Sequence, residues 1–515
     1  MWIHPVGTEY NENPMKSSIT SKQGLLLLSG VLLIVGVSYI PALGNHLVAD
    51  SWVFVYPRSL GETLAFFHHS IIPEEWGAFW LRPLTMLFFW LDNVVWPGTE
   101  WGPHITNIVF HLINVMLVWY IVAYICGCMK NAQPGGNFFL PGFTAALFYG
   151  LHPLNVGSVG WVAARFDVMC VTCGLGGLSL WLRWYNEPGK MRKAFISVLL
   201  LIFAVLSKEQ GVVFLVVCFL IALYGAFTRD ERRSSYLSGC GVLGGAIVLC
   251  LVYRISVFGG MGGYITPEKG VYAIPPLAYC AAILFPYLNL FPGWSLTPSF
   301  WISSLILLVL FIFNRKTVKA RKRTTVQSVH IAAAAGLSVL GFATTSPHAG
   351  IGFSDIMGHA ESRFAIIAIT GIALMAGIAV HVLVRSVHAC RIMLLVLFVW
   401  GCTAAWRTDV QLQAWKDAGN TAHQIIQTVL GEAPSPPRNS HMLFYDIPRG
   451  NGQFAYIFGI GLREAILCHY PGRNDITILP RAVGKNLKAV DPDRDYVFRY
   501  NTSRKNLERL FPQQR

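Results

Sequence analysis

"LHPLNVGSVGWVAARFDVMCVTCGLGGLSLWLRWY" occupies residues 151–185. It opens with a His-Pro turn at His152 and Pro153, and its apolar run carries Arg165 and Asp167 at the head. A membrane span needs about 20 mainly apolar residues, and 168–184 with its flanks supplies one. Ionisable groups at membrane depth cost at least ~2.5 kcal/mol each when unpaired. Arg165 and Asp167 must therefore pair or line a wet cavity, and which of these holds decides what the stretch is for.

The rest of the chain repeats the pattern. Of its 515 residues, 54% are hydrophobic and 13% charged, where a soluble protein carries roughly 25% charged residues. An α-helical polytopic membrane protein is expected, with about eleven spans at 25–40, 105–126, 143–151, 168–184, 194–206, 212–227, 236–257, 301–313, 331–344, 364–384 and 392–406. The first reads as an uncleaved anchor, since no small-residue cleavage site follows it. Two other apolar stretches read as interfacial or re-entrant helices. Residues 76–101 are rich in tryptophan and broken by Arg82-Pro83, Asp92 and Pro97; 274–294 contain Pro275, Pro276, Pro286 and Pro292. Tryptophan favours the membrane–water interface.

Charge orients this topology. With the N-terminus inside, Lys130, Arg183, Arg192, Lys193, Arg229, Arg232, Arg233, the 315–323 cluster, Arg385 and Arg391 all fall in inner loops. The positive-inside rule asks for this. The net charge of +14 is then a topology signal, and no nucleic-acid partner is expected. Cys170 and Cys173 lie inside a span and read as inert buried thiols. The odd span count leaves the C-terminus outside. Residues 407–515 are more polar: "HMLFYDIP", "NDITILP" and "DYVFRYN" read as strands around a helical "QFAYIFGIGLREAILCHY". The chain thus divides into a transmembrane part, 1–406, and a small α/β extracytoplasmic domain, 407–515, reached through the Pro-rich "GEAPSPPRNS".

The same topology collects the unusual polar residues on the outer face. The loops supply Asp50, Arg82 and His104, then His152, Arg165 and Asp167, then Lys208 and Glu209, then His348, His359, Glu361 and Arg363. The two late histidines read as structural, and Asp92 and Glu100 as solvent-facing. Carboxylates among cations at a membrane surface suit transfer from a lipid-phosphate donor. Arg and Lys hold a phosphate and stabilise it as it leaves. A carboxylate takes the proton from an incoming hydroxyl. Asp50 is the candidate base, and Arg165, Lys208 and Arg363 the candidate phosphate ligands.

The motifs "LVADSW", "LRPLTMLFF", "GPHITNIVFHLINVML", "HPLNVGSVGWVAARFDVM", "SKEQG", "ESRF" and "RTDVQLQAWKDAGN" occur in that order. This series resembles C-type (GT-C) membrane glycosyltransferases, in the protein O-mannosyltransferase-like branch that includes the transmembrane and tetratricopeptide-repeat proteins. The resemblance covers roughly the first four-fifths of the chain. It implies a polyprenyl- or dolichyl-phosphate-sugar donor, an acceptor on the outer or lumenal face, and an acidic first-loop residue at Asp50. It places the His-Pro…Arg-x-Asp motif on His152, Pro153, Arg165 and Asp167, the Lys-Glu motif on Lys208 and Glu209, and the late Glu-Arg on Glu361 and Arg363. Asp167 would orient Arg165 or touch the sugar or acceptor; Arg82, His104, His152, Glu209 and Glu361 would support. Ser51 stands where the family often has a second Asp, Gly157 where it usually has Glu, and Ser362 separates Glu361 from Arg363.

The expected function is therefore a glycosyltransferase of the membrane, a hexosyltransferase using a polyprenyl-phosphate sugar donor and a glycan, lipid or protein hydroxyl as acceptor. Alternatives are a lipid-diphosphate-glycan polymerase or ligase, a glycolipid transporter or flippase, and a non-catalytic relative. A divalent cation, Mg or Mn, shared by Asp50 and Asp167 is left open. A bacterial inner membrane is expected, or the ER membrane in a eukaryote, with the site facing the periplasm or lumen.

Overall fold

In the computed structural model of the chain, residues 22–72, 78–128, 139–187, 191–259, 263–264, 325–345, 360–384, 386–451, 455–480, 491 and 494–511 are described. The expected span at 301–313 and the expected interfacial stretch at 274–294 lie outside them, as do His348 and His359.

The molecule is mostly helical. Its longer helices are α1 (Lys22–Tyr39), α2 (Pro83–Val95), α3 (Trp101–Cys128), α4 (Phe139–Gly150), α5 (Arg165–Asn186), α6 (Met191–Ser207), α7 (Val212–Thr228), α8 (Arg233–Phe258), α9 (Thr325–Thr345), α10 (Ile366–Leu383) and α11 (Val387–Glu432). Among the described residues, seven helical segments are long and apolar enough to cross a membrane; α4 has only 12 residues. Helix α2 is 13 residues, about 20 Å at 1.5 Å per residue, short of the ~30 Å hydrocarbon core.

Helix α5 is the centre. It packs on α3, α6 and α7, and 83% of the membrane-length window containing it is buried, against 11% for α8. On α8, Val248, Leu249 and Val252 are exposed. An apolar face left open in this way suits lipid as its solvent.

The stretch 151–164 is irregular although buried. Short 3-10 and α turns at Pro153–Asn155, Val156–Val159 and Val162–Ala164 replace a continuous helix. Irregular backbone inside a membrane protein is tolerated when its polar groups are satisfied internally. Helix α3 does much of this. Asn107, His111 and Asn114 fall on one face at i, i+4 and i+7. Asn107 Nδ2 donates to Trp161 O at 3.1 Å, His111 Nε2 lies 2.9 Å from Gly150 O, and Asn114 Nδ2 donates to Val168 O at 3.1 Å. The "NIVFHLIN" pattern is thus a polar seam that accepts a broken neighbour.

Helix α11 departs most from the sequence expectation. Its 46 residues span about 69 Å and run without interruption across the expected boundary between 406 and 407. Exposed Leu395, Val396, Phe398 and Val399 mark its first half; buried Leu412, Trp415, Ala422, Ile425 and Val429 mark the second. Beyond it, four strands form one sheet: β1 (His441–Tyr445), β2 (Thr477–Leu479), β3 (Asp495–Asn501) and β4 (Asn506–Phe511). The order is β2-β1-β3-β4, with β1 parallel to β2 and β3, and β4 antiparallel to β3. The crossover from β1 to β2 contains a helix of only six residues, Leu462–Leu467, because Ala455–Tyr456 pairs with Gly450–Asn451 instead of joining that helix. Strand β4 was not anticipated.

Candidate active site

Five of the anticipated residues meet on one narrow cleft. Asp50, Arg82, Asp167, Lys208 and Arg363 line it, together with Trp80, Ala163, Ala164, Phe166 and Phe364. Each reaches it from a different element. Asp50 caps the short helix Ser51–Val55 at the end of the loop that leaves α1. Arg82 precedes Pro83 at the head of α2. Asp167 lies in the first turn of α5. Lys208 is extended between α6 and the 3-10 turn Glu209–Gly211. Arg363 lies in the turn Ala360–Ala365 that enters α10.

Aromatic rings carry the cations. The Arg82 guanidinium sits 4.4 Å from the Trp80 centroid and 5.0 Å from that of Phe166. The Lys208 ammonium lies 4.6 Å from the Phe364 centroid. Arg363 stacks 4.3 Å from Trp161 and 4.8 Å from Phe364. Such contacts favour a cation without neutralising it. Carboxylates do neutralise two of them. Lys208 Nζ donates to Asp167 Oδ1, and Arg82 donates from Nε and Nη2 to Glu209 Oε2 at 3.0 and 2.9 Å. Glu209 also pairs with Arg254 at 3.3 Å. Glu209 thus lies behind the wall and holds Arg82 in place.

The Asp50 loop is held by the C-terminal part of the chain. Ala49 has φ 48°, in the left-handed region. This conformation costs a non-glycine residue roughly 1–2 kcal/mol. Ala49 N donates to Ile457 O at 2.8 Å. Gly461, at φ 88°, lets the Ala49 carbonyl come so close that a Cβ there would lie 2.1 Å from it. Trp161, beneath Arg363, stacks on Trp415 at 5.4 Å and meets Tyr456 at 5.2 Å.

Besides Glu209, three anticipated residues lie off this cleft. Arg165 is fully buried. It pairs with Asp92 at 2.5 Å, donates to Asn107 Oδ1 at 2.9 Å and Pro103 O at 2.8 Å, and stacks 4.2 Å from Phe89. It ties α2, α3 and α5 together where a phosphate ligand was expected. Asp92, expected to face solvent, is 4% exposed and also accepts from Thr106 at 2.7 Å. His152 is buried, accepts from Leu154 N at 3.3 Å, and shapes the turn. His104 lines a separate shallow crevice with Asn45, Ser51, Trp161 and Trp415. Ser51, at the second acidic position of the resemblance, accepts from Ala163 N at 3.3 Å. Of Glu361 only the backbone is described.

The sequence reading missed the aromatic partners. "FWLRP" and "SRF" place an aromatic beside each arginine, and that adjacency was the available signal. As for a divalent cation at Asp50 and Asp167, Asp167 already carries the Lys208 ammonium.

Comparison with known proteins agrees with the motif series. No family model matches. The chain is 28% identical over 130 residues to the protein O-mannosyl-transferase F38B6.6 of Caenorhabditis elegans, covering 25% of this chain and 17% of that one. It is 24% identical over 173 residues to the protein O-mannosyl-transferase Tmtc3 of Drosophila melanogaster, covering 30% and 18%. The matches therefore span less than a fifth of the length of these relatives. Among solved structures, ArnT from Cupriavidus metallidurans bound to undecaprenyl phosphate is similar at TM-score 0.46 and 13% identity, over 94% of each chain. The archaeal oligosaccharyltransferase AglB from Archaeoglobus fulgidus is similar at TM-score 0.47 and 11% identity, over 93% of this chain and 70% of that one. The relatives in sequence are O-mannosyl-transferases, the class that the motif series resembles.

Proposed function

We propose that the chain transfers a sugar from a polyprenyl-phosphate donor to a hydroxyl of an envelope glycan, lipid or protein, at the periplasmic or lumenal face of its membrane. The observation that carries this reading is the single cleft lined by the carboxylates Asp50 and Asp167 together with the cations Arg82, Lys208 and Arg363.

The acceptor hydroxyl attacks the anomeric carbon. The C1–O bond to phosphate breaks with its electron pair going to the phosphate oxygen. Asp50 takes the hydroxyl proton, and the configuration at C1 inverts. The leaving phosphate gains one negative charge, and cations set in place beforehand favour that charge more than the ground state. Asp167 holds the Lys208 ammonium on the wall, and Glu209 does the same for Arg82. The chain's O-mannosyl-transferase relatives make a mannosyl donor the first to try and a protein hydroxyl the first acceptor.

The test is donor turnover. Purified protein in lipid is given a panel of polyprenyl-phosphate sugars, and released polyprenyl phosphate is measured for wild type and Asp50→Asn. Loss of a general base lowers turnover by roughly 10²–10⁴-fold, with donor binding retained. Equal turnover in the two proteins would remove Asp50 from the reaction. No release with any donor, even with crude envelope acceptors, would favour a lipid-diphosphate substrate instead.

A further inference from the structure

We propose that His46, Glu100 and His423 form a zinc site outside the cleft, which fastens the Asp50 loop to helix α11. The three residues come from the loop after α1, the segment before α3, and the second half of α11. One ligand atom from each lies within 4.8 Å of the other two, and all three side chains are half-buried.

The backbone brings them together by a specific close approach. His46 packs on Gly419, where a Cβ would lie 2.9 Å from His46 O and 3.0 Å from His46 N. Only glycine permits this. His423 follows Gly419 by four residues, so it lies on the same helix face one turn on. Its ring stacks on that of His46, with centroids 4.0 Å apart and planes at 17°. Glu100 Oε2 lies 3.3 Å from His46 Nδ1 and accepts from Leu47 N at 2.7 Å, which fixes the carboxylate.

Two imidazoles and a carboxylate suit zinc, with a water as fourth ligand. Zinc ligands about 2.0–2.1 Å from a tetrahedral ion lie about 3.3 Å from each other. The His46–Glu100 separation already has that value; His423, whose ligand atom lies within 4.8 Å of the other two, must turn its ring out of the stack on His46 to aim a nitrogen at the ion. A His46–Glu100 hydrogen bond alone would not require the second imidazole or the glycine beneath it. His46 precedes Asp50 by four residues, so an ion here would restrain the loop that presents the proposed base.

The inference is independent of sugar transfer, because the experiment reads metal and not turnover. The full chain is purified in detergent with any affinity tag removed and stripped with a chelator. Zinc affinity is then measured by competition with a chromophoric chelator. Wild type should bind one tight zinc per chain. His423→Asn and His46→Asn should each weaken it by more than the roughly 10–100-fold that loss of a supporting partner costs, with zinc-free Tm unchanged. Zinc in excess should raise the Tm of wild type and leave that of both variants in place. If a variant misfolds, cobalt-loaded wild type should still show the visible absorption of a four-coordinate histidine–carboxylate site. No tight zinc in wild type, equal binding by wild type and both variants, or a six-coordinate cobalt spectrum would each overturn the proposal.

Discussion

Two buried ion pairs begin on the same turn of α5 and do different things. Arg165 pairs with Asp92 in a closed pocket where its donors are taken by Asn107 and Pro103. Asp167 pairs with Lys208 on the wall of the cleft. The two residues are two positions apart, and at 3.6 residues per turn that is about 200° around the helix. If one faces the cleft, the other must face away. One pair is a bolt between helices and the other holds a cation where a ligand can reach it. Charge and burial alike fail to separate these roles; the direction each side chain takes from the helix does.

The largest effect that would sharpen this contrast is on stability. Arg165→Met leaves Asp92 as an uncompensated buried carboxylate, and breaking such a pair from one side costs about 3–5 kcal/mol. Chemical unfolding in detergent should show that loss, while the folded fraction keeps its donor affinity. The double variant Arg165→Met, Asp92→Leu should recover much of the stability, since replacing both partners removes the stranded charge. A stable single variant with weakened donor binding would reverse the assignment and return Arg165 to the phosphate.

On the cleft side Lys208→Met likewise strands a buried carboxylate, Asp167, and costs stability, but here the folded fraction should lose donor affinity as well. Lys208→Met removes a charge-assisted contact worth about 1.5–3 kcal/mol, so affinity for a polyprenyl phosphate should fall roughly 10–100-fold. Arg363→Ala should produce a smaller loss, about tenfold, because Arg363 is partly exposed and surface electrostatics are screened. Equilibrium binding of a fluorescent polyprenyl phosphate distinguishes these variants. Equal affinity in wild type and both would take the cleft out of donor binding.

The same contrast explains what was legible in the sequence. Asp50, Arg82, Asp167, Lys208 and Arg363 each border an apolar run, at its head or its end, where a charge is costly enough to need a reason. Topology then put them on one side, and they share a cleft. Arg165 was expected on the cleft and lies off it, because its partner Asp92, 73 residues earlier in a stretch read as interfacial, was itself read as solvent-facing. The 200° rotation between 165 and 167 was available and would have separated them. The end of α11 was misread for another reason. Apolar composition stops near Trp406, but Leu412, Trp415, Ala418, Ala422, Ile425 and Val429 continue at helical spacing. A helix that leaves the membrane changes its solvent without changing its period. Strand β4 was hidden because "NLERLF" is too short and mixed to fix a period.

A third pair, outside the membrane part, sets the lower bound of the comparison. Arg473 donates to Asp475 from Nε and Nη2 at 2.8 and 2.9 Å, on the exposed edge before β2. Asn439 N also donates to Asp475 at 2.9 Å, and Asn439 has φ 58°. The Arg473 guanidinium and this amide hold the Asp475 carboxyl well below the ordinary carboxylate value of 3.8. A depressed folded pKa means stability that is present above the unfolded pKa and lost as pH falls through and below it. The gap in Tm between wild type and Asp475→Asn should therefore be small at pH 7, because water and salt screen an exposed pair, and should close as pH drops below about 4. Neither donor affinity nor turnover should change. A gap that stayed constant with pH would mean that Asp475 acts through its shape, as the cap that keeps Asn439 in a left-handed turn, and that its charge contributes nothing there.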